Sequence, residues 1–269
     1  MSQVLQLAVV REALQSRLLV ELMAGAMHKE LVLKGGMAMR AVHGSVRYTK
    51  DIDLDAELTF SRERVQGIVR RSIERAIGSG LIAHAQVSEP KQTDTTLRWK
   101  ISGTQPGSSA PLYLTVEVSR REPIPGAQAI EVPFGPRFAG APAGKVRVLD
   151  SQAIAVTKVL ALTDPNRTAA RDIFDLAVLI EARVEDPAQL LASLPDARMR
   201  LPQAMAELWP KIEAMDYSQF INDVIPYLPP DVAAAITADA FEDMRLTVGT
   251  NVEEWLEKAI AVPPASPLD

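Results

Sequence analysis

The chain has 269 residues, no cysteine, three histidines, and 29 Lys and Arg against 34 Asp and Glu, for a net charge of −5. That length holds one large or two modest domains of ordinary globular composition, and the lack of cysteine excludes disulfides and thiolate metal sites. A reducing, cytoplasmic setting is compatible with it, and a net negative charge argues against a protein coated in nucleic-acid contacts.

In chain order, residues 3–28 place leucines at 14, 18 and 22 between charges, which predicts an amphipathic helix packed on a core. Arg11, Glu12, Arg17 and Glu21 interrupt it, so it cannot cross a bilayer, and no basic region of the signal-peptide type precedes it. Leu31-Val32-Leu33 then leads into Gly35-Gly36 and a helix-like run from Met37 to Val42, an order of strand, tight turn and helix. A Gly-Gly pair lets backbone approach a ligand closely, and the N–H groups opening the next helix suit an anion. By itself the pair is an ordinary turn.

Asp51-Ile52-Asp53-Leu54-Asp55 alternates as a strand does, with three carboxylates on one face. Carboxylates two residues apart on a strand lie roughly 6–7 Å apart at Cα. Their side chains can converge on Mg²⁺, which takes hard oxygen ligands. An isolated acidic strand is otherwise a solvated edge.

Residues 61–77 read as a helix capped by Ser61, apolar at Val65, Ile68, Val69, Ile73 and Ile77. Its arginines read as a solvated face, with phosphate contact as the alternative. Gly78 to Ala83 fits a loose dinucleotide pattern but lies between a helix and a strand, the reverse of the required context. Strands are predicted at 81–87, 95–101 and 112–119. Glu117 stands in the last of these among apolar and β-branched residues, where an unpaired carboxylate is costly. It either pairs with an arginine or joins Asp51 and Asp53 at a metal site.

Residues 120–147, rich in Pro and Gly, read as a long loop with a short hairpin as the alternative within it. A helix capped at Asp150 or Ser151 carries Lys158 and is broken at Asp164-Pro165-Asn166. The next helix has Arg171, Asp172 and Asp175 in its first turns. Taken alone, Lys158 is a solvated charge and the Arg–Asp neighbours are local ion pairs. Residues from about 186 to 260 read as helices without a motif, and His28, His43 and His84 show no metal-ligand spacing. Residues 181–269 hold 6 basic and 16 acidic residues, a balance of −10, against 23 and 18 in residues 1–180, a balance of +5. A polyanion is therefore expected on the first part, if the imbalance is more than a difference between two solvated faces.

Gly35-Gly36, Arg40, Arg47, Thr49 and Asp51-Ile52-Asp53 resemble the first signature block of the AbiEii/AbiGii-type nucleotidyltransferase toxins, a branch of the DNA polymerase β-like superfamily. Met37 stands where that family usually has Thr, and Thr49 where it usually has Ser. Lys158, Leu162, Arg171, Asp172, Asp175 and Leu176 resemble the second block, in the expected order.

The resemblance implies an α+β protein. Residues 1–147 would form a nucleotidyltransferase lobe with a mixed sheet, and residues 148–269 a helical lobe contributing Lys158 and Asp172 to the cleft. It implies a toxin of a type IV-like toxin–antitoxin system that moves a nucleotide from an NTP to an RNA acceptor, the tRNA 3′ end, with Mg²⁺ as cofactor and a cognate antitoxin as partner. Asp51 and Asp53 would hold the metal, and Glu117 would be the third carboxylate. Gly35, Gly36, Thr49 and Lys158 would bind the nucleotide. Asp172 would position Lys158, with Asp175 the weaker candidate for that task. Transfer to a protein or small-molecule hydroxyl, or nucleotide binding without catalysis, are the competing expectations; the presence of Asp51, Asp53 and Lys158 together argues against the last.

Overall fold

The alternation at residues 51–55 forms a central strand of a seven-stranded mixed sheet. A computed structural model describes residues 3–23, 31–133, 145–168 and 170–263. In chain order the first elements are α1 (Gln3–Leu22), β1 (Leu31–Lys34), α2 (Gly35–Ala41), β2 (Asp51–Ala56), α3 (Arg62–Gly78), β3 (Ala83–Gln92), β4 (Thr96–Thr104), β5 (Pro111–Ser119), β6 (Ala129–Pro133) and β7 (Lys145–Leu149). The sheet order is β3-β4-β5-β2-β1-β7-β6. Strand β2 runs antiparallel to β1 and parallel to β5, and β7 runs parallel to β1.

The chain divides into two compact units. One comprises Met1–Pro123, Ala129–Asp150 and Pro226–Ala233; the other comprises Ile124–Gln128, Ser151–Ile225 and Ala234–Asp269. The first unit contains the whole sheet.

The two faces of the sheet follow from the period of two. Ile52, Leu54, Leu97, Trp99, Leu114, Val116 and Val118 are buried on one face. Helix α1 packs against β5 and α3, which bring buried Leu14, Leu18, Val65 and Val69 to this core. Ser61 caps α3, its hydroxyl accepting from Arg64 N at 3.2 Å. The other face of β2, β4 and β5 carries Asp51, Asp53, Asp55, Arg98, Lys100, Thr115 and Glu117.

Within the stretch expected as a long loop over 120–147, the alternative of a short hairpin is the one that forms. Residues 129–133 form β6, which pairs with β7 at 145–149 as an antiparallel ladder on the far edge. Val146 and Val148 face the core while Lys145 and Arg147 alternate with them, and this pattern drives the pairing. His43 Nε2 donates to Leu149 O at 2.8 Å. Burial holds its imidazole below the usual histidine pKa, against the opposing influence of Leu149 O and Asp150. His28 lies outside the described residues.

The second unit is helical: α4 (Ser151–Leu162), α5 (Ala170–Glu181), α6 (Ala188–Ala192), α7 (Ala197–Ala214), α8 (Tyr217–Asp223), the end of α9 (Pro230–Ala235) and α10 (Ala238–Ala261). Helix α10 packs on α5, α6 and α7. Phe220 lies 4.8 Å from Phe241 and 6.5 Å from Phe174 between ring centroids, which ties α8, α10 and α5 together. No helix among the described residues is long and apolar enough to cross a membrane.

A buried ion pair anchors the segment leading to β2. Arg40 Nε donates to Glu12 Oε1 at 2.6 Å, Arg40 Nη1 donates to Val46 O at 2.9 Å, and the guanidinium carbon lies 4.2 Å from the Tyr48 ring centroid. Removing one partner of a buried pair leaves a desolvated charge, so Glu12→Ala should cost about 3–5 kcal/mol in urea unfolding. Glu63→Ala, at an exposed pair with Arg62 in the first turn of α3, should shift the midpoint far less. Equal midpoints for the two variants would contradict the anchoring role.

Candidate active site

The glycine turn at the end of β1 lies directly on the acidic strand. Gly35 has φ of +67°, and a Cβ built there would overlap Asp53 Oδ2. At Gly36 a Cβ would come within 3.0 Å of Thr49 Oγ1 and 3.4 Å of Arg47 Nη2. Glycine is thus required at position 35, both for a left-handed backbone and for the approach of Asp53, while at position 36 it spares crowding against Thr49. Lys34 precedes α2 as N-cap without a side-chain cap hydrogen bond. Its ammonium instead reaches Asp55 Oδ1 at 2.5 Å.

Buried Gln15 on α1 fixes the start of β2. Its Nε2 donates to Thr49 O at 3.3 Å and to Asp51 O at 3.4 Å. Thr49 Oγ1 accepts from Asp51 N at 3.4 Å. Gly35, Gly36, Thr49, Asp51 and Asp53 are therefore gathered in one place on the sheet.

Glu117 on β5 is the register partner of Asp53, and Thr115 that of Asp51. Its carboxylate also has the arginine partner considered from the sequence: Arg98 Nε and Nη2 both donate to Glu117 Oε2, at 2.8 and 2.5 Å. Asp53 and Glu117 share a face and a level, with Arg98 as the next residue across on β4. Among the described residues no group of three His, Cys, Asp or Glu side chains is gathered as a ready-made metal site. Magnesium usually binds through one or two carboxylates together with water and substrate phosphates rather than in an all-protein cage. The half-buried pair Asp51 and Asp53 fits that requirement in donor chemistry and spacing.

In the helical unit, Lys158 on α4 is only 8% exposed. Its Nζ lies 3.0 Å from Asp172 Oδ1 and 2.6 Å from Asp175 Oδ2, both on α5. Asp172 also has Arg167 Nη2 at 3.8 Å. Two consequences differ from the sequence-based expectation. Lys158 is a buried charge rather than a solvated one, and Asp175, fully buried, makes the shorter contact although Asp172 was expected to be the principal partner. The spacing of Asp172 and Asp175, three apart, already placed both carboxylates on one helical face.

The sequence matches the family profile "Nucleotidyl transferase AbiEii toxin, Type IV TA system" over residues 17–245. The chain belongs to this family. It is accordingly a nucleotidyltransferase of the AbiEii toxin family, for which an NTP substrate and an antitoxin partner are implied. None of the curated proteins compared matches it. Among solved structures, a protein from H. pylori provisionally assigned as a nucleotidyltransferase superposes with TM-score 0.56 at 20% identity, covering 96% of this chain and 97% of that one. JHP933 from Helicobacter pylori gives 0.54 at 19% identity, with coverage of 94% and 93%. Both likenesses are likenesses of fold.

Four substitutions probe the AbiEii-family chain. Gly35→Ala forces Asp53 aside and should lower nucleotidyl transfer about 100-fold, the usual cost of a displacement near 1 Å. Gly44→Ala, where φ is +83° and nothing lies within 4 Å, imposes comparable backbone strain and should leave transfer unchanged. Asp175→Asn should cost about 3–5 kcal/mol of stability by thermal or urea unfolding. Asp172→Asn should cost less, and the reverse ranking would return Asp172 to first place.

Proposed function

We propose that this AbiEii-family enzyme uses Mg²⁺ to transfer a nucleotide from an NTP to an RNA hydroxyl, the 3′ end of a tRNA, in the cytoplasm. The observation that carries the reading is the contact of the Gly35-Gly36 turn with Asp53 and Thr49, beside Asp51 on the same strand. Backbone N–H groups of Gly35 and Gly36, with the Thr49 hydroxyl, donate to phosphate oxygens. Asp51 and Asp53 hold the metal. When bound, Mg²⁺ neutralises charge developing on the α-phosphate and on the departing pyrophosphate.

The acceptor hydroxyl oxygen forms a bond to the α-phosphorus as the bond from that phosphorus to the bridging oxygen of the β-phosphate breaks. Pyrophosphate leaves, and the hydroxyl proton is taken by a nearby carboxylate. Glu117, at the level of Asp53, is assigned to complete the carboxylate set, with Arg98 orienting it. Lys158 is assigned to nucleotide binding through the family's second sequence block, and Asp172 to holding it together with Asp175, which makes the shorter contact.

The test is incubation of the full chain with Mg²⁺, each α-labelled NTP in turn and total RNA, beside Asp53→Ala and Lys158→Met. Label in a tRNA-sized band with one NTP, lost in both variants and on chelation of the metal, is the expected result. Label on protein or on a small molecule would overturn the acceptor, and no transfer of any kind would overturn the catalytic reading.

A further inference from the structure

We propose that the open face of β3, β4 and β5 is the track on which the unpaired 3′ end of the acceptor RNA lies, with Tyr113 as a base-stacking platform. The proposal rests on the RNA reading above and adds the surface and the residues. Leu112, Leu114 and Val116 are buried on one side of β5, so Tyr113, Thr115 and Glu117 project on the other, the face that carries Asp51 and Asp53. Thr115 is the register partner of Asp51, which puts Tyr113 one pleat repeat further along the strand, roughly 6–7 Å away.

Tyr113 is 58% exposed and is the only exposed aromatic side chain among the described residues. Buried Arg11 donates from Nε to the Tyr113 carbonyl at 2.7 Å, so the backbone beneath the ring is fixed. Lys100, exposed on β4, pairs in register with Thr115 and is the diagonal neighbour of Tyr113. Lys91 on β3 stands beside Arg98 in register.

Apart from Glu117, the only carboxylate on these three strands is Glu89. It accepts from Arg70 and from Trp99 Nε1 and is thereby drawn to the helix-covered side. The open face thus carries an aromatic ring with Lys100 diagonally beside it and Lys91 further along the same three strands. Single-stranded nucleic acid matches both features, since every base has a stackable face and every linkage a phosphate. A protein partner would need several apolar neighbours around the ring, and of the adjoining positions Ser102, Lys100 and Thr115 are polar, with Pro111 alone apolar.

The experiment compares wild type, Tyr113→Ala, Tyr113→Phe and Lys100→Ala in the full chain. It measures transfer kinetics on tRNA and binding of a fluorescent single-stranded RNA with a free 3′-hydroxyl, with NTP affinity measured separately. Tyr113→Ala should raise the RNA KM and Kd about 5- to 150-fold with NTP affinity unchanged, while Tyr113→Phe stays within twofold. Lys100→Ala should lower the slope of log affinity against log salt by about 0.7. Wild-type transfer to RNA with a KM indifferent to Tyr113→Ala would overturn the track and leave the RNA reading intact. Wild-type label on protein, or none, would overturn both. A matching loss of NTP affinity in Tyr113→Ala would also overturn the track by assigning the ring to the nucleotide.

Discussion

The site depends on one close approach. β1 ends at Lys34 beside Asp53, and the chain must then turn into α2 without placing an atom where the Asp53 carboxylate lies. Only a residue lacking Cβ, and tolerant of φ near +67°, can stand at position 35. Gly36 meets a milder demand, since a Cβ there would only crowd the side chains of Thr49 and Arg47. The turn and the acidic strand are therefore a single object, although some fifteen residues of chain separate them.

The surrounding charges are arranged to keep that object in register and its carboxylates in different situations. Asp55 is paired with Lys34, Glu117 with Arg98, and buried Gln15 holds the backbone where β2 begins. The Glu12–Arg40 pair fixes the loop that feeds the strand. Helices cover one face of the central strands, and the polar face is left for chemistry, a division that alternation along β2, β4 and β5 imposes residue by residue. The helical unit buries its own charged group, Lys158 between Asp172 and Asp175, where the pairing of charges offsets desolvation.

Much of this was legible in the sequence because it is local. Strand β2, the turn after β1, the helix capped by Ser61 and the break at Asp164-Pro165 each announce themselves through period, cap or breaker within a few residues. The α+β class and the grouping of Gly35, Gly36, Thr49, Asp51 and Asp53 followed. What the sequence did not show was non-local. A hairpin was an open alternative near β7, but its bounds were not legible because Lys145 to Leu149 is short and lies next to Pro- and Gly-rich chain, and its place beside β1 is a matter of tertiary pairing. The pairing of Glu117 with Arg98 depends on the antiparallel register of β4 and β5, and the shorter contact of Asp175 depends on how α4 meets α5. Neither is a property of any single segment.

The most direct measurement is an anomalous difference map from crystals grown with Mn²⁺ and a non-hydrolysable NTP. The account predicts a metal peak at about 2.0–2.2 Å from carboxylate oxygens of Asp51 and Asp53, with the triphosphate against the Gly35-Gly36 turn. A nucleotide bound elsewhere, or a metal peak with no contact to either aspartate, would contradict it.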